Sequence, residues 1–391
     1  MHDDLFTYQK SNFKISYQFR NKYFLIFPIY YLFILIIALI GYFTSNFYRE
    51  EFNSNKPIFL TFTFNQSKIA DLFKKSSIQL RFNFTRFNIK SNCFKFESLL
   101  FFTIKYGLNF SFFLKLTSLK NIKFFKMNWY RIINLIFIDR ILSEKTINKK
   151  LVIVANDHSV YNNYVIAYCK KNDIKTMYIQ HAPVTSKFPL LRCDYNILFS
   201  NQSKDIYEKI SNSNSKFIVY SDLRLINFYR LKSNNNNDKN SILICTNEFD
   251  SILNVEKFVK FFLKKNYKIT IRKHPADRRS WKINKINLSS LSLIEDFKNH
   301  KIILCNETAL ILEAIVARKL VYKCKFSEFT DHYGYIKDGL VTKEYIRPDE
   351  LYVDIRNEFV TYKNDKIKYY TGDLNSHETH LLSINKLISS H

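Results

Sequence analysis

The stretch that decides the fold is Lys301–Val316, KIILCNETALILEAIV. Ile302, Ile303 and Leu304 form an apolar, β-branched run too short for a helix and typical of a buried parallel strand. Asn306, Glu307 and Thr308 follow as a polar turn, and the next residues are apolar nearly all the way round except for Glu313. The pattern predicts strand, tight turn, helix. The first helical N–H groups have no partner inside the helix and carry partial positive charge, so such a turn is a natural seat for an anion. Upstream, YKITIRKHP (267–275) predicts a second strand ending in Arg272, Lys273 and His274. Alternation along a strand sends Arg272 and His274 to one side and Lys273 to the other. If the two strands share a sheet, these cations and the helix start face one crevice, where a nucleotide phosphate can bind.

Working outward, the pattern repeats. LVIVAND (151–157), IKTMYIQH (174–181), YNILFS (195–200) and KFIVYS (216–221) read as strands, with helices at 161–173 and 201–210 between them. SILICT (241–246), a helix at 255–266 and KLVYKC (319–324) continue the alternation past the polar run KSNNNNDKN (232–240). Strands alternating with helices mean a parallel sheet covered on both faces. The expected fold is therefore α/β, with two Rossmann-like domains at 56–231 and 241–391, a linker at 232–240 and a cleft between the domains. Ligands of such sheets bind outside the carboxyl ends of the strands.

Ahead of this body, PIFLTFTF (57–64) reads as a strand and SKIADLFKK (67–75) as a helix, whereas residues 80–130 have no clean period. Residues 1–22 form a tail. YFLIFPIYYLFILIIALIGYF (23–43) carries no charge, and about 21 helical residues span roughly 30 Å, the thickness of a hydrocarbon core. A membrane-spanning or membrane-inserted helix is expected there. Lys10, Lys14, Arg20 and Lys22 precede it and the segment after it mixes Arg49 and Lys56 with Glu50 and Glu51. That count places the amino terminus in the cytoplasm and the remainder across the membrane. A nucleotide-binding part in a bacterial cytoplasm needs the opposite orientation, which a helix that is re-entrant, kinked at Pro28 or paired with a partner reconciles with the count, placing that part at the cytoplasmic face of the inner membrane; in a eukaryotic secretory organelle the count stands as it is.

The five glycines, Gly41, Gly107, Gly334, Gly339 and Gly372, supply neither a dinucleotide fingerprint nor a Walker loop. Side chains and helix starts must grip any nucleotide. The net charge of +26 comes from Lys scattered along the chain with no nucleic-acid motif, so a membrane surface is preferred to nucleic acid as partner. Six well-spaced cysteines form no C-x-x-C pair and no Asp-x-Asp occurs, so neither a zinc site, a disulfide framework nor a carboxylate-bound metal is expected. No cofactor is implied beyond a nucleotide co-substrate.

Asn156, Asp157, His158 and Ser159 sit where one strand ends, and Gln180 and His181 where the next ends. An Asp beside a His at such an edge suits general-base work; equally, Asp157 or Ser159 can cap the following helix. His181 can exchange a proton near neutral pH or donate to phosphate. Glu313, a lone acid in an apolar helix, lies at the helix surface or holds a ligand, since an unpartnered buried carboxylate is costly.

NDHS, YIQH, RKHP and then a strand followed by NETALILEA, in that order, resemble the GT-B glycosyltransferases of bacterial surface-polysaccharide synthesis, including capsule, polysialic-acid, Kdo and polyol-phosphate transferases. The resemblance covers roughly residues 150–345 and is carried mainly by the His-Pro pair and by Thr308 with Glu313 and Ala314. It implies a metal-independent transfer of a sugar from a nucleotide donor to a glycan or glycolipid acceptor. By that resemblance His274 and Thr308 would contact the donor phosphate, Glu313 would hold the donor ribose, and Asp157 or His181 would be the base at the acceptor hydroxyl; from their places at the strand ends, His158 joins the catalytic candidates and Arg272 and Asn306 the donor-binding ones. The chain departs from the pattern at Ala182, where Gly is usual, and at Glu307, where a small hydroxyl residue is usual and a carboxylate would repel phosphate. Other readings of the same residues are a nucleotide-sugar epimerase and a non-catalytic membrane-anchored scaffold.

Overall fold

The computed structural model describes residues 56–81, 150–156, 159–210, 216–231, 240–275, 277, 279–281, 286–328 and 331–391, with Ile138 and Leu142. The tail, the apolar stretch 23–43, nearly all of the linker, and Asp157 and His158 lie outside the described residues. Among the described residues no helix is long and apolar enough to cross a membrane.

The described residues fall within one compact unit that contains two six-stranded, wholly parallel sheets. The first is built from β1 (Ile58–Thr61), β2 (Ile78–Arg81), β3 (Leu151–Val154), β4 (Lys175–Ile179), β5 (Tyr195–Leu198) and β6 (Lys216–Val219), in spatial order β2-β1-β3-β4-β5-β6. Helices α1 (Phe64–Asp71), α2 (Val160–Lys171) and α3 (Asn201–Ile210) lie between its strands in sequence, and α4 (Ile226–Tyr229) follows β6. The second sheet has β7 (Ser241–Thr246), β8 (Lys268–Lys273), β9 (Asn287–Leu288), β10 (Ile302–Cys305), β11 (Leu320–Cys324) and β12 (Glu344–Tyr345), ordered β12-β11-β10-β7-β8-β9. Helices α5 (Ile252–Lys264), α6 (Leu293–Asn299), α7 (Leu310–Val316), α8 (Pro348–Arg356), α9 (Asn364–Thr371) and α10 (His377–Ser389) complete the chain.

Alternation explains how the second sheet is sandwiched. Successive side chains of a strand point to opposite faces. Ile242, Ile244, Ile269, Ile271, Ile302 and Leu304 thus meet the apolar stripe of α5, whose Val255, Phe258, Val259 and Phe262 are buried, together with Leu351 and Ile355 of α8. Leu243, Cys245, Ile303, Cys305 and Val321 face the other way, onto Ile311, Ala314 and Ile315 of α7. Both faces are covered, which is why these strands read as unbroken apolar runs.

The carboxyl-terminal helix does not stay with the second sheet. Ile384 and Ile388 of α10 pack with Phe59, Ile153, Met177 and Ile197 of the first. Residues after 376 thus complete the core of the amino-terminal half. The five described cysteines are buried and none forms a disulfide.

Candidate functional site

Strand order fixes where a ligand can sit. In the second sheet the chain moves from β7 outward to β8 and β9, then returns to the opposite side of β7 with β10. The first sheet reverses in the same way between β1 and β3. Loops leaving the carboxyl ends of strands on either side of a reversal diverge and leave a crevice. The turn Asn306–Thr308 leaves β10 at one reversal, and the segment beginning at Asn156 leaves β3 at the other. β8 and β10 flank β7, so the two strands singled out by sequence end on the same edge about 10 Å apart, twice the spacing of neighbouring strands.

Arg272 has one guanidinium nitrogen engaged within the protein. Its Nη1 donates to the Leu291 carbonyl at 2.7 Å and to Asp296 Oδ2 at 2.6 Å, and the Asp296 side chain is fully buried. Ser289 Oγ bonds the same carboxylate. This is a buried, charge-assisted pair that ties β8 to α6. His274 leaves β8 at the strand edge, its N–H bonded to the Thr246 carbonyl at 2.9 Å. Its ring is 56% exposed and lies 4.0 Å from Glu248. Beyond it, Arg279 binds Asp277 and the Asn247 carbonyl, stapling the loop after β8 to the loop after β7.

Asn306 is a brace. Its Nδ2 donates to Asp250 Oδ1 at 2.9 Å and to Ser327 Oγ at 2.5 Å, joining the loops after β7, β10 and β11. Thr308 Oγ1 accepts from Leu310 N at 3.4 Å, a local turn that helps to start α7. Glu307 does not oppose an anion as a bare carboxylate would. Oε2 lies 3.0 Å from the buried ammonium of Lys323, and Oε1 accepts from Tyr333 N at 2.9 Å.

Glu313 is the group in α7 left for a ligand. Its neighbours Ile311, Leu312, Ala314, Ile315 and Val316 are buried while Glu313 is partly exposed. No described residue donates a hydrogen bond to its carboxylate among the contacts resolved. Burial raises its pKa, and the Arg224 guanidinium pulls in the opposite direction.

Arg224 was not singled out by sequence. It follows β6 in the connection between the sheets, where its Nε donates to Asp222 Oδ1 at 2.9 Å and its Nη2 to Oδ2. Asp222 is buried and is itself held by its N–H on the Thr371 carbonyl at 2.7 Å. The pair lines a pocket between the two halves, with Gln180 and Ser203 on one side and Leu312 and Tyr335 on the other. The sequence signal was available: Asp222-Leu-Arg224 follows a strand parallel to the one that delivers His181.

Gln180 shapes the same wall. Its Nε2 donates to the Ala182 carbonyl and Ser203 Oγ, while Oε1 accepts from Phe199 N, so one buried amide fixes the loops after β4 and β5. His181 is carried on that loop and is partly exposed. Ser159, at the other reversal, caps α2 by accepting from Asn162 N at 3.2 Å. Of the two sequence readings for the residues before α2, the cap therefore falls to Ser159. Among the described residues no group of His, Cys, Asp and Glu side chains could hold a metal ion.

An α/β protein with two parallel six-stranded sheets is the class this arrangement defines. Solved structures of the same architecture include UDP-N-acetylglucosamine 2-epimerase from Neisseria meningitidis bound to UDP-GlcNAc, at 12% identity and TM-score 0.56, covering 86% of this chain and 100% of that one. The S. aureus protein MnaA with UDP aligns at 15% identity and TM-score 0.54 over 85% and 97% of the two chains. UDP-N-acetylglucosamine 2-epimerase from Rickettsia bellii aligns at 13% identity and TM-score 0.51 over 86% and 96%. At such identities the likeness is one of fold. No protein-family profile and no curated protein sequence matches the chain.

Proposed function

We propose that the chain is a membrane-associated glycosyltransferase at the cytoplasmic face of the inner membrane, moving a sugar from a nucleotide-activated donor to a cell-surface polysaccharide or glycolipid acceptor. The observation that carries the nucleotide part is Glu313: a carboxylate that accepts no hydrogen bond among the described residues, within electrostatic reach of Arg224, on the helix that follows the strand reversal. Paired hydroxyls of a ribose are the ligand groups that satisfy such a carboxylate. The same fold binds UDP or UDP-GlcNAc in the proteins from S. aureus and N. meningitidis.

In this reading His274 and the backbone around Thr308 receive the donor phosphate, and Asp157, His158 or His181 takes the proton of the acceptor hydroxyl. The acceptor oxygen bonds to the sugar's anomeric carbon as the carbon–oxygen bond to phosphate breaks, with its electron pair leaving on the phosphate. Stabilising that departing charge is where most of the acceleration arises. Arg272, oriented by Asp296 through Nη1, adds positive charge to the strand edge that the phosphate would meet.

Thermal-shift titration with UDP, CDP, CMP and GDP tests the nucleotide part, because a ligand that binds only the native state raises its stability by about 2.7 kcal/mol at one hundred times its Kd. No shift with any of the four, on folded protein, refutes it. A nucleotide-sugar epimerase is the second reading, favoured by the likeness to the epimerase structures. Release of nucleotide that requires an added glycan acceptor supports transfer; conversion of the donor without acceptor supports epimerisation.

A further inference from the structure

The carboxyl-terminal segment is tied to the connection between the two sheets by a histidine. Past the crossing at Gly372, α10 begins at His377 and lays Ile384 and Ile388 into the core of the first sheet. Near its start, His380 Nδ1 accepts a hydrogen bond from the Ser221 N–H at 3.0 Å and lies 3.1 Å from Ser221 Oγ. Its ring meets that of Tyr220 at 5.0 Å between centroids. The next residue, Asp222, donates its own N–H to the Thr371 carbonyl at 2.7 Å and holds Arg224 through its carboxylate. Ser221 and Asp222 are both buried. The connection is thus fastened on both sides of Gly372, and one of the two fasteners is an imidazole lone pair.

The bond at Ser221 fixes the protonation of His380. A backbone N–H can only donate, so Nδ1 must keep its lone pair and the ring proton sits on Nε2. Proton uptake at Nδ1 turns the acceptor into a donor that faces another donor. The surroundings also oppose charge on the ring. Burial holds its pKa below the ordinary histidine value, and the Asp373 carboxylate pulls the other way. His380 stands in the first turn of a 13-residue helix, where the partial positive charge of the helix start disfavours a cation. His377, three residues earlier, is buried, and its Nδ1 has no hydrogen-bond partner among the described residues. Burial and the Arg230 guanidinium lower its pKa too. The charged groups that face the two rings are Asp373 from the turn before α10, Asp222 and Arg230 from the connection, and Glu378 from α10 itself. Arg230 and Glu378 are paired with each other at 2.6 Å.

We propose that His380 is a proton-operated clasp: neutral, it locks the start of α10 to Ser221; protonated, it lets go, and the Asp222–Arg224 pair loses the neighbour that sets its position. The sign follows from linkage. A ring whose native pKa is depressed contributes stability that is complete above its released value, near about 6.5, and is lost as pH falls from there through the native value. Acidification therefore opens the clasp, while Ile384 and Ile388 keep the rest of α10 on its sheet. The device does not depend on which ligand the protein binds.

Amide hydrogen exchange on the full chain tests the clasp, read at Ser221 to Arg224 and in the first turn of α10, at about pH 7.5 and about pH 5.5, after correction for intrinsic exchange. In the wild-type protein, protection there is expected to fall by about three- to tenfold at the lower pH. Tenfold is roughly the most that a ring titrating near about 6.5 once released contributes over this interval. His380→Asn puts an amide oxygen where Nδ1 stands and takes up no proton, so its protection is expected to be the same at both pH values. His380→Phe has no acceptor and should show the low protection at both. Ring-nitrogen chemical shifts of His380 give a reading that needs no variant, and the neutral form with its proton on Nε2 is expected at about pH 7.5. Wild-type protection that does not change with pH, a His380→Asn protein that keeps the wild-type response, or a ring already protonated at about pH 7.5 would each overturn the proposal. So would a response that disappears in His377→Asn and survives in His380→Asn, because the proton would then be taken up at the other ring.

Discussion

Lys323 and Glu307 form an ion pair of 3.0 Å in which the two side chains are 1% and 4% exposed. The ammonium also lies 2.8 Å from Glu344 and 3.8 Å from Asp331. Burial disfavours the charged amine, yet the bonds to Glu344 and Glu307 outweigh it and raise its pKa. One cation thus holds the turn after β10, the end of β12 and the loop at Asp331. Lys323→Met is expected to destabilise the protein by about 3–5 kcal/mol, because the buried Glu307 carboxylate would be left without its cation beside the half-buried Glu344. Glu307→Gln keeps an acceptor for Tyr333 N and leaves Lys323 paired with Glu344, so roughly 1–2 kcal/mol is expected. Urea unfolding of the two variants gives the order; a milder effect for Lys323→Met than for Glu307→Gln contradicts this account of the cluster.

Gly372 marks the place where the chain crosses back to the first sheet. Its φ is +68° and its ψ −170°, a region open essentially to glycine alone. A Cβ there would lie 2.5 Å from the Tyr220 carbonyl oxygen and 2.7 Å from Ser221 Cα, both backbone atoms. Gly372→Ala should therefore cost more than the conformational term of about 1–2 kcal/mol, since the segment that bonds Asp222 must also move. Equilibrium unfolding should place the loss at roughly 2–4 kcal/mol, with α10 the first element to lose hydrogen-exchange protection. Wild-type stability in this variant would mean that the crossing is not tight in solution.

The two sheets were legible because buried parallel strands are written as short apolar runs, and Leu151–Val154, Ser241–Thr246 and Ile302–Cys305 lie where those runs fall. β2, β9 and β12 were not legible, being edge strands of two to four residues with mixed polarity. The return of α10 to the first sheet leaves no local trace at all, since a stripe of Ile384 and Ile388 fits either core. At the site, sequence shows the cations but not their partners: the buried Asp296 on α6 that holds Arg272 and the buried Asp222 that holds Arg224 emerge only in the fold.

Stability at low pH should carry the signature of Asp277. Hydrogen bonds from Arg279 hold its carboxyl down at about 2, against the desolvation that would raise it. A carboxylate with a depressed folded pKa stabilises the native state above its unfolded pKa, near about 3.9, and that contribution is lost as pH falls through the folded value. The relevant window is therefore about pH 4 down to about pH 2, and the contribution there is on the order of 1–2 kcal/mol. Asp277→Asn should flatten the pH dependence of unfolding inside that window and lower stability at pH 7. Because Arg279 also holds the Asn247 carbonyl, Arg279→Ala should reproduce the flattening. An acid limb unaltered in both variants rules out this pair as its source.

Residues that touch the donor and residues that support them should respond differently to substitution. Glu313 accepts no resolved hydrogen bond from the described residues, and burial already raises its pKa. Glu313→Gln should therefore leave stability at pH 7 unchanged or slightly higher, because a neutral amide is easier to desolvate. The same change weakens acceptance from two ribose hydroxyls, so nucleotide affinity should fall by about ten- to hundredfold. His274→Ala removes an exposed ring whose contact with Glu248 is 4.0 Å long, so it should fold normally and lower turnover by roughly tenfold or more through the leaving phosphate. Arg272→Ala strips the partner from a buried Asp296 and should instead lose about 3–5 kcal/mol of stability. The diagnostic is a crossed pattern, with function lost and fold kept at Glu313 and His274, and fold lost first at Arg272. Stable Arg272→Ala protein with abolished nucleotide binding would reverse the assignment and return that guanidinium to the phosphate.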